Sequence, residues 1–236
     1  AKISLLDVLK NLFANPQLLW LLVANICTTC VAFILTRCAT YYWKAVAENF
    51  AMMGTYSLLV NGLGIVGTIV AGKVAGKFDN IKMSRFALIG MLVTIALVKP
   101  LGLHNQWLFI AVISVHQFFA SFNYPIFVAG YANCATYAEW KTGKKTAATI
   151  MSISGYPLRF APMITSWFIP QTLKKVGYVA GEACSEATKA GIVGIYSTWG
   201  PIFMAGALII MFFFYKLNNT KMEAIQQELD ARKAQA

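Results

Sequence analysis

Six apolar stretches follow one another along the chain, at residues 16–36, 51–74, 86–103, 107–130, 146–170 and 192–215, separated by short polar loops. Each approaches the roughly 20 residues that a helix needs to cross the hydrocarbon of a bilayer, where every turn must satisfy its own backbone hydrogen bonds because water is absent. The third stretch is the weakest, since Lys99 and Pro100 interrupt it. A chain that is 58% hydrophobic and 12% charged cannot surround one soluble core with a wettable surface, so lipid is the expected solvent. The expected fold is an all-α membrane protein, a bundle of six transmembrane helices over residues 16–216. An amphipathic lead-in (1–15) and a helical tail (217–236) flank the bundle.

With six spans, both ends of the chain lie on one face, and the basic residues of the short loops say which. Lys73, Lys77, Lys82, Arg85, Lys141, Lys144, Lys145, Lys216, Lys221 and Arg232 fall on the side of the termini, as do Lys2, Lys10 and Lys233. The opposite side carries Lys44, Lys99, Lys174, Lys175 and Lys189. Both termini are therefore expected to be cytoplasmic. The net charge of +11 reflects this topology and not a nucleic-acid surface, because the basic residues are scattered through loops and form no face interleaved with aromatics. The start at Ala1 lacks the charged leader and cleavage site of a secretory signal and looks like a cut or processed end. Five cysteines without ligand-type histidines point to packed free thiols, with neither a disulfide framework nor a metal site.

Several polar groups sit inside the spans. Arg159, near the middle of the fifth, costs at least about 2.5 kcal/mol in hydrocarbon unless it faces a wet cavity or a partner. At helical spacing, Ser152, Tyr156 and Arg159 share a stripe. In the fourth span His116, Ala120, Asn123 and Tyr124 form another, with Pro125 able to free a backbone carbonyl. Asn25, Thr28, Thr29 and Asn61 add uncharged groups suited to hydroxyls. The glycine-rich second span, with Gly72 and Gly76 at small-xxx-small spacing, predicts close helix approach. Tyr41, Tyr42 and Trp43 read as an interfacial aromatic belt or an outer lid, and Arg37 beside them can snorkel to the headgroups. In the tail, Thr220 and Glu223 have capping-box spacing, and Met222, Ile225 and Leu229 repeat on one side.

Two loops carry a resemblance. Residues 72–82 (GKVAGKFDNIK) loosely match the signature that major facilitator transporters carry after the second helix of each half. Residues 137–145 (YAEWKTGKK) more specifically resemble the loop of the glycoside-pentoside-hexuronide:cation symporters, the melibiose permease family. The resemblance covers essentially the whole chain as the C-terminal half of such a transporter. It implies a partner N-terminal six-helix half, a small sugar held between the halves, alternating access, and a bacterial inner membrane location. It places Tyr124 as an aromatic platform for the sugar ring. Arg159 falls where the family often has a lysine, and its planar fork suits a carboxylate, hence a uronide. His116, Asn123, Ser152, Tyr156 and Asn25 complete the expected substrate-binding set. A cytoplasmic gate is expected to set Asp79 and Glu139 against Lys82, Lys141 or Lys144, because Asn133 and Thr136 replace the usual aspartates.

None of the nine acids lies within a span, so the coupling cation, sodium or proton, is expected to be held mainly by the other half. No cofactor or metal is expected. No nucleophile–base pair, metal-type spacing or phosphate loop suggests an enzyme. The alternative to transport is a half-size protein that homodimerises as a structural or signalling module.

Overall fold

The computed structural model describes residues 15–74, 77–144 and 146–234. The 1–14 part of the lead-in, Gly76 and Lys145 therefore lie outside the described residues. Among the described residues nine α-helices follow in order: α1 Pro16–Tyr41, α2 Met53–Val74, α3 Asn80–Gly102, α4 Gln106–Ala120, α5 Asn123–Thr142, α6 Ala147–Ile153, α7 Pro157–Lys175, α8 Glu186–Ile209 and α9 Asn219–Ala234. A wide turn, Tyr42–Val46, extends α1, and a second, Ile210–Phe214, extends α8. Among the described residues five continuous or nearly continuous segments are long and apolar enough to cross a membrane: Pro16–Val46, Phe50–Val74, Asn80–Gly102, Gln106–Thr142 and Glu186–Phe214. The broken pair α6–α7 occupies the place of the remaining crossing. The protein is an all-α, multi-pass membrane bundle.

Local chemistry starts and stops these helices. The side chains of Asn15, Asp79, Asn105 and Ser185 accept from the first free backbone N–H groups of α1, α3, α4 and α8, and Pro16 sits where its missing N–H costs nothing. Gly143, at φ 69°, closes α5 in the left-handed conformation. The Ser185 cap begins α8 six residues ahead of the apolar stretch at 192.

The third span is not interrupted at Lys99–Pro100. Ser197 of α8 enters the α3 backbone there: its hydroxyl accepts from the Lys99 N–H at 2.9 Å and donates to the Ile95 carbonyl at 3.4 Å. The Tyr42 hydroxyl then donates to the Gly102 carbonyl at 2.8 Å, so the last carbonyl of α3 has a donor.

Prolines set the two breaks. Pro125 cannot donate to the Ser121 carbonyl, and the chain turns at Ser121–Phe122 before continuing, well beyond 130, to Thr142. Pro157, with Gly155, ends α6 at Ile153 and starts α7 afresh. The stripe of Ser152, Tyr156 and Arg159 presumed one continuous helix, and this break removes its register.

Packing runs α2–α4–α3–α8–α1–α7, with α5 crossing α1 and α3. Helices α2 and α4 meet at Gly64 and Gly67, not at Gly72, which has no neighbour within 4 Å of a would-be Cβ. At one end of the bundle Tyr42 stacks on Phe109 with centroids 3.5 Å apart, and Tyr56, Trp43 and Tyr196 surround them. Tyr42 and Trp43 are thus buried core and not an interfacial belt; only Tyr41 stays half-exposed, edge-on to Tyr178.

Tail helix α9 packs on α5. Its cap is Asn218, whose side chain accepts from Lys221 N, and not Thr220. Ile225 and Leu229 are buried against the bundle. Trp140 donates its indole N–H to Glu228 at 2.7 Å, and Arg232 returns a bond to the Trp140 carbonyl at 3.1 Å.

Candidate functional site

A cavity of about 340 Å³ opens between α1, the α4–α5 break and the start of α7. That volume lies in the range of small-ligand sites. From α1 it receives Asn25, Thr28 and Thr29, one turn of polar groups within an otherwise apolar helix. Asn25 donates to the Tyr131 hydroxyl of α5 at 3.2 Å, while Thr29 and Thr28 turn back onto the Asn25 carbonyl at 2.7 and 3.0 Å. The amide of Asn25 is therefore fixed in place and presents a defined polar edge to the cavity.

The floor comes from the α4–α5 break. Nδ1 of His116 lies 3.1 Å from the Met91 carbonyl and 3.0 Å from the Thr94 hydroxyl, which itself donates to Gly90. A carbonyl can only accept, so the neutral ring carries its proton on Nδ1 and presents Nε2 as an acceptor. Asn123 spends its Nδ2 on the Met91 sulfur at 2.9 Å. His116 Nε2 and Asn123 Oδ1 are then two buried acceptors without a partner among the described residues. Tyr124, the next residue, is 80% exposed and projects from the open side of the cavity. The site thus joins buried acceptors, a hydroxyl-rich wall and one accessible aromatic ring.

Four of the seven expected binding residues line this cavity: Asn25, His116, Asn123 and Tyr124. Ser152, Tyr156 and Arg159 do not. Ser152 turns back to the Thr149 carbonyl, Tyr156 packs edge-on against Phe160, and Arg159 is exposed on α7, its guanidinium making no hydrogen bond to a described residue. Gln117, Met91 and Tyr131 are cavity residues that sequence reasoning passed over. Gln117 carried a signal, since it adjoins His116 and falls one turn before the Ser121–Phe122 break.

The expected gate is arranged differently. Asp79 spends one carboxylate oxygen on Ile81 N (2.9 Å) and Lys82 N (3.2 Å) as the α3 cap, and the other on Asn219 N (2.9 Å) at the start of α9. Among the described residues it forms no ion pair with Lys82 or Lys144, because a helix N-terminus and the tail claim both oxygens. Glu139 and Lys141 sit on the last turns of α5, beside the Trp140 contact with α9.

A multi-pass helical bundle with a polar cavity let into its interior has the build of a membrane transporter. Comparison with known proteins agrees: the family described as MFS/sugar transport protein matches residues 1–219, and the chain belongs to that family. It is 24% identical to the putative sulfoquinovose importer of Escherichia coli (strain K12), over 98% of this chain and 50% of that protein. It is likewise 24% identical to the uncharacterized symporter YjmB of Bacillus subtilis (strain 168), over 97% of this chain and 50% of that protein. The raffinose carrier protein of Pediococcus pentosaceus is 22% identical over 80% of this chain and 29% of its own length. The chain spans about half the length of the first two relatives. The family and these relatives are transporters, not enzymes.

Proposed function

We propose that this chain is the C-terminal half of a secondary sugar transporter, in which the α1/α4–α5/α7 cavity forms one wall of the sugar chamber and a second six-helix half forms the other. The observation that carries the reading is the juxtaposition in one cavity of an exposed ring, Tyr124, with the polar side chains of Asn25, Thr28, Thr29, His116 and Asn123. A sugar matches both, because the apolar CH face of its ring stacks on an aromatic while its hydroxyls donate to acceptors. The names of the relatives, an importer of sulfoquinovose and a raffinose carrier, support a sugar as substrate.

In this reading transport is driven by a sodium ion or proton bound chiefly by the other half, and rocking of the halves alternates access. Both termini face the cytoplasm of a bacterial inner membrane. The latch of α9 onto α5 and Asp79 lies on that side, where most basic loop residues fall. Arg159, exposed on α7, faces the partner half and meets the sugar or an acid of that half, which spares its charge contact with lipid.

The test is uptake of neutral and acidic sugars by cells expressing the full-length polypeptide, with and without an imposed sodium or proton gradient. Gradient-dependent accumulation of a sugar is the expected result. Absence of any gradient-dependent sugar flux, together with self-association of the half-length chain into a stable dimer, favours a homodimeric module instead.

A further inference from the structure

A second cavity, of about 600 Å³, lies in the seam between α1 and α7, toward the end of the bundle that carries Tyr41 and Tyr178. Its lining includes two cations, Arg37 and Lys44, seven residues apart on α1 and its extending turn and hence on one face. It also includes the hydroxyl residues Thr40, Tyr41, Ser166 and Tyr178 and, among the described residues, no carboxylate. Glu48, the acid nearest to Lys44 in the chain, is taken by Lys189 at 2.7 Å.

The guanidinium of Arg37 is held in a fixed pose. Nη1 donates to the Ser166 hydroxyl at 2.6 Å and to the Pro162 carbonyl at 3.3 Å, and the group lies 5.4 Å from the Phe33 ring centroid. A residue that merely snorkels extends to the headgroups; this one is tied across to α7 by one nitrogen. Its Nε and Nη2 make no hydrogen bond to any described residue. Those two nitrogens form the edge of the guanidinium that presents parallel N–H groups to an oxyanion. Beside them, Pro170 has no N–H to offer the Ser166 carbonyl, so that oxygen lacks its regular helical donor and can accept from a hydroxyl.

We propose that this seam is an anion subsite that selects acidic sugars, with Arg37 Nε and Nη2 gripping a carboxylate or sulfonate and Lys44 supplying the second positive charge. The inference rests on the sugar-transport reading above and moves recognition of the acid group from Arg159 to Arg37. Ser166 is a positioning residue, since it orients the guanidinium through Nη1.

Equilibrium binding to the purified full-length protein tests this, with D-glucuronate and D-glucose as probes and Arg37→Gln, Arg37→Lys and Lys44→Gln as variants. Lys44 is exposed and its ammonium lies 5.1 Å from the centroid of the exposed Phe50 ring, so its replacement loses a surface contact and leaves the buried core intact. Glucuronate binds wild type more tightly than glucose does. Arg37→Gln lowers glucuronate affinity by about tenfold or more. Arg37→Lys recovers only part of it, Lys44→Gln loses less, and glucose affinity is unchanged throughout. Glucuronate affinity that survives Arg37→Gln, or that falls equally with glucose affinity, overturns the subsite while leaving sugar transport standing. Binding of neither probe to wild type overturns the acid subsite, and the uptake assay above decides the transport reading. A repeat in nanodiscs of phosphatidylglycerol separates the sources of the oxyanion: Arg37-dependent competition by that lipid assigns the seam to a headgroup and overturns the sugar subsite.

Discussion

Replacing Gly67 by alanine tests how tightly the α2–α4 contact is built. A Cβ at this position meets the Phe118 carbonyl oxygen at 2.6 Å, the Phe118 Cα at 3.1 Å and the Ser121 Cβ at 3.0 Å, where ordinary contacts begin at 3.4 Å. Two of the three obstacles are backbone, so no rotamer change relieves the clash. The helices must separate by several tenths of an ångström, which also stretches the 2.8 Å bond from Ser121 Oγ to the Gly64 carbonyl. Overpacking of this kind costs about 1–3 kcal/mol. For a unit of this size that corresponds to a drop of roughly 3–10 °C in midpoint. The assay is thermal unfolding of the purified full-length protein in detergent, at one fixed scan rate because such unfolding is commonly irreversible. Gly62→Ala is the control: nothing lies within 4 Å of its Cβ, and alanine in a helix is favoured over glycine by about 0.5–1 kcal/mol. Gly62→Ala therefore leaves the midpoint unchanged or raises it. A Gly67→Ala protein as stable as wild type, or an equal loss from Gly62→Ala, refutes the close-approach argument.

Three further outcomes follow from particular contacts. Asp79→Ala removes the α3 cap, at about 0.5–2 kcal/mol, and frees Asn219 N. Limited proteolysis then cuts at residues 216–220 faster than in wild type, and equal cutting rates contradict the latch. Trp140→Phe deletes the indole donor to Glu228 and raises the same cleavage rate with little change in the bundle's midpoint; a large fall in midpoint contradicts this assignment. The hydrogen bond from Lys189, and then its charge, hold the Glu48 carboxyl below the usual glutamate range. A lowered folded value means stability that is present above the unfolded value and lost as pH falls through the folded one. The small midpoint advantage of wild type over Glu48→Gln thus persists at neutral pH and vanishes in acid, and an advantage that grows on acidification contradicts the pair.

The spans were legible because about 20 apolar residues in a row leave a chain few alternatives. Their interruptions were less so. Pro125 announces a break, and His116, Asn123 and Tyr124 still reach one cavity because the turn at Ser121–Phe122 keeps them on its rim. Pro157 has the opposite effect: it starts α7 in a new register and carries Arg159 away from that cavity. Lys99–Pro100 looked like an interruption because the compensating hydroxyl, Ser197, lies 98 residues away in sequence. Arg37 was unreadable for the same reason, its partner Ser166 being 129 residues distant. Tyr42 and Trp43 misled because interfacial belts and buried ring clusters share a composition, and only the turn extending α1 decides which way the rings point. Asp79 is a helix cap and a tail anchor at once, and its second role needs the fold of α9.

Whether the cavity walled by α1, α4–α5 and α7 receives the sugar is decided by the sugar affinity of the full-length protein carrying Tyr124→Ala. The ring is 80% exposed, so its removal leaves the bundle's midpoint within about 1 °C of wild type. Affinity for the transported sugar then falls by about tenfold or more, as expected from loss of a stacking face. Unchanged affinity in a protein that is equally well folded contradicts sugar binding in that cavity.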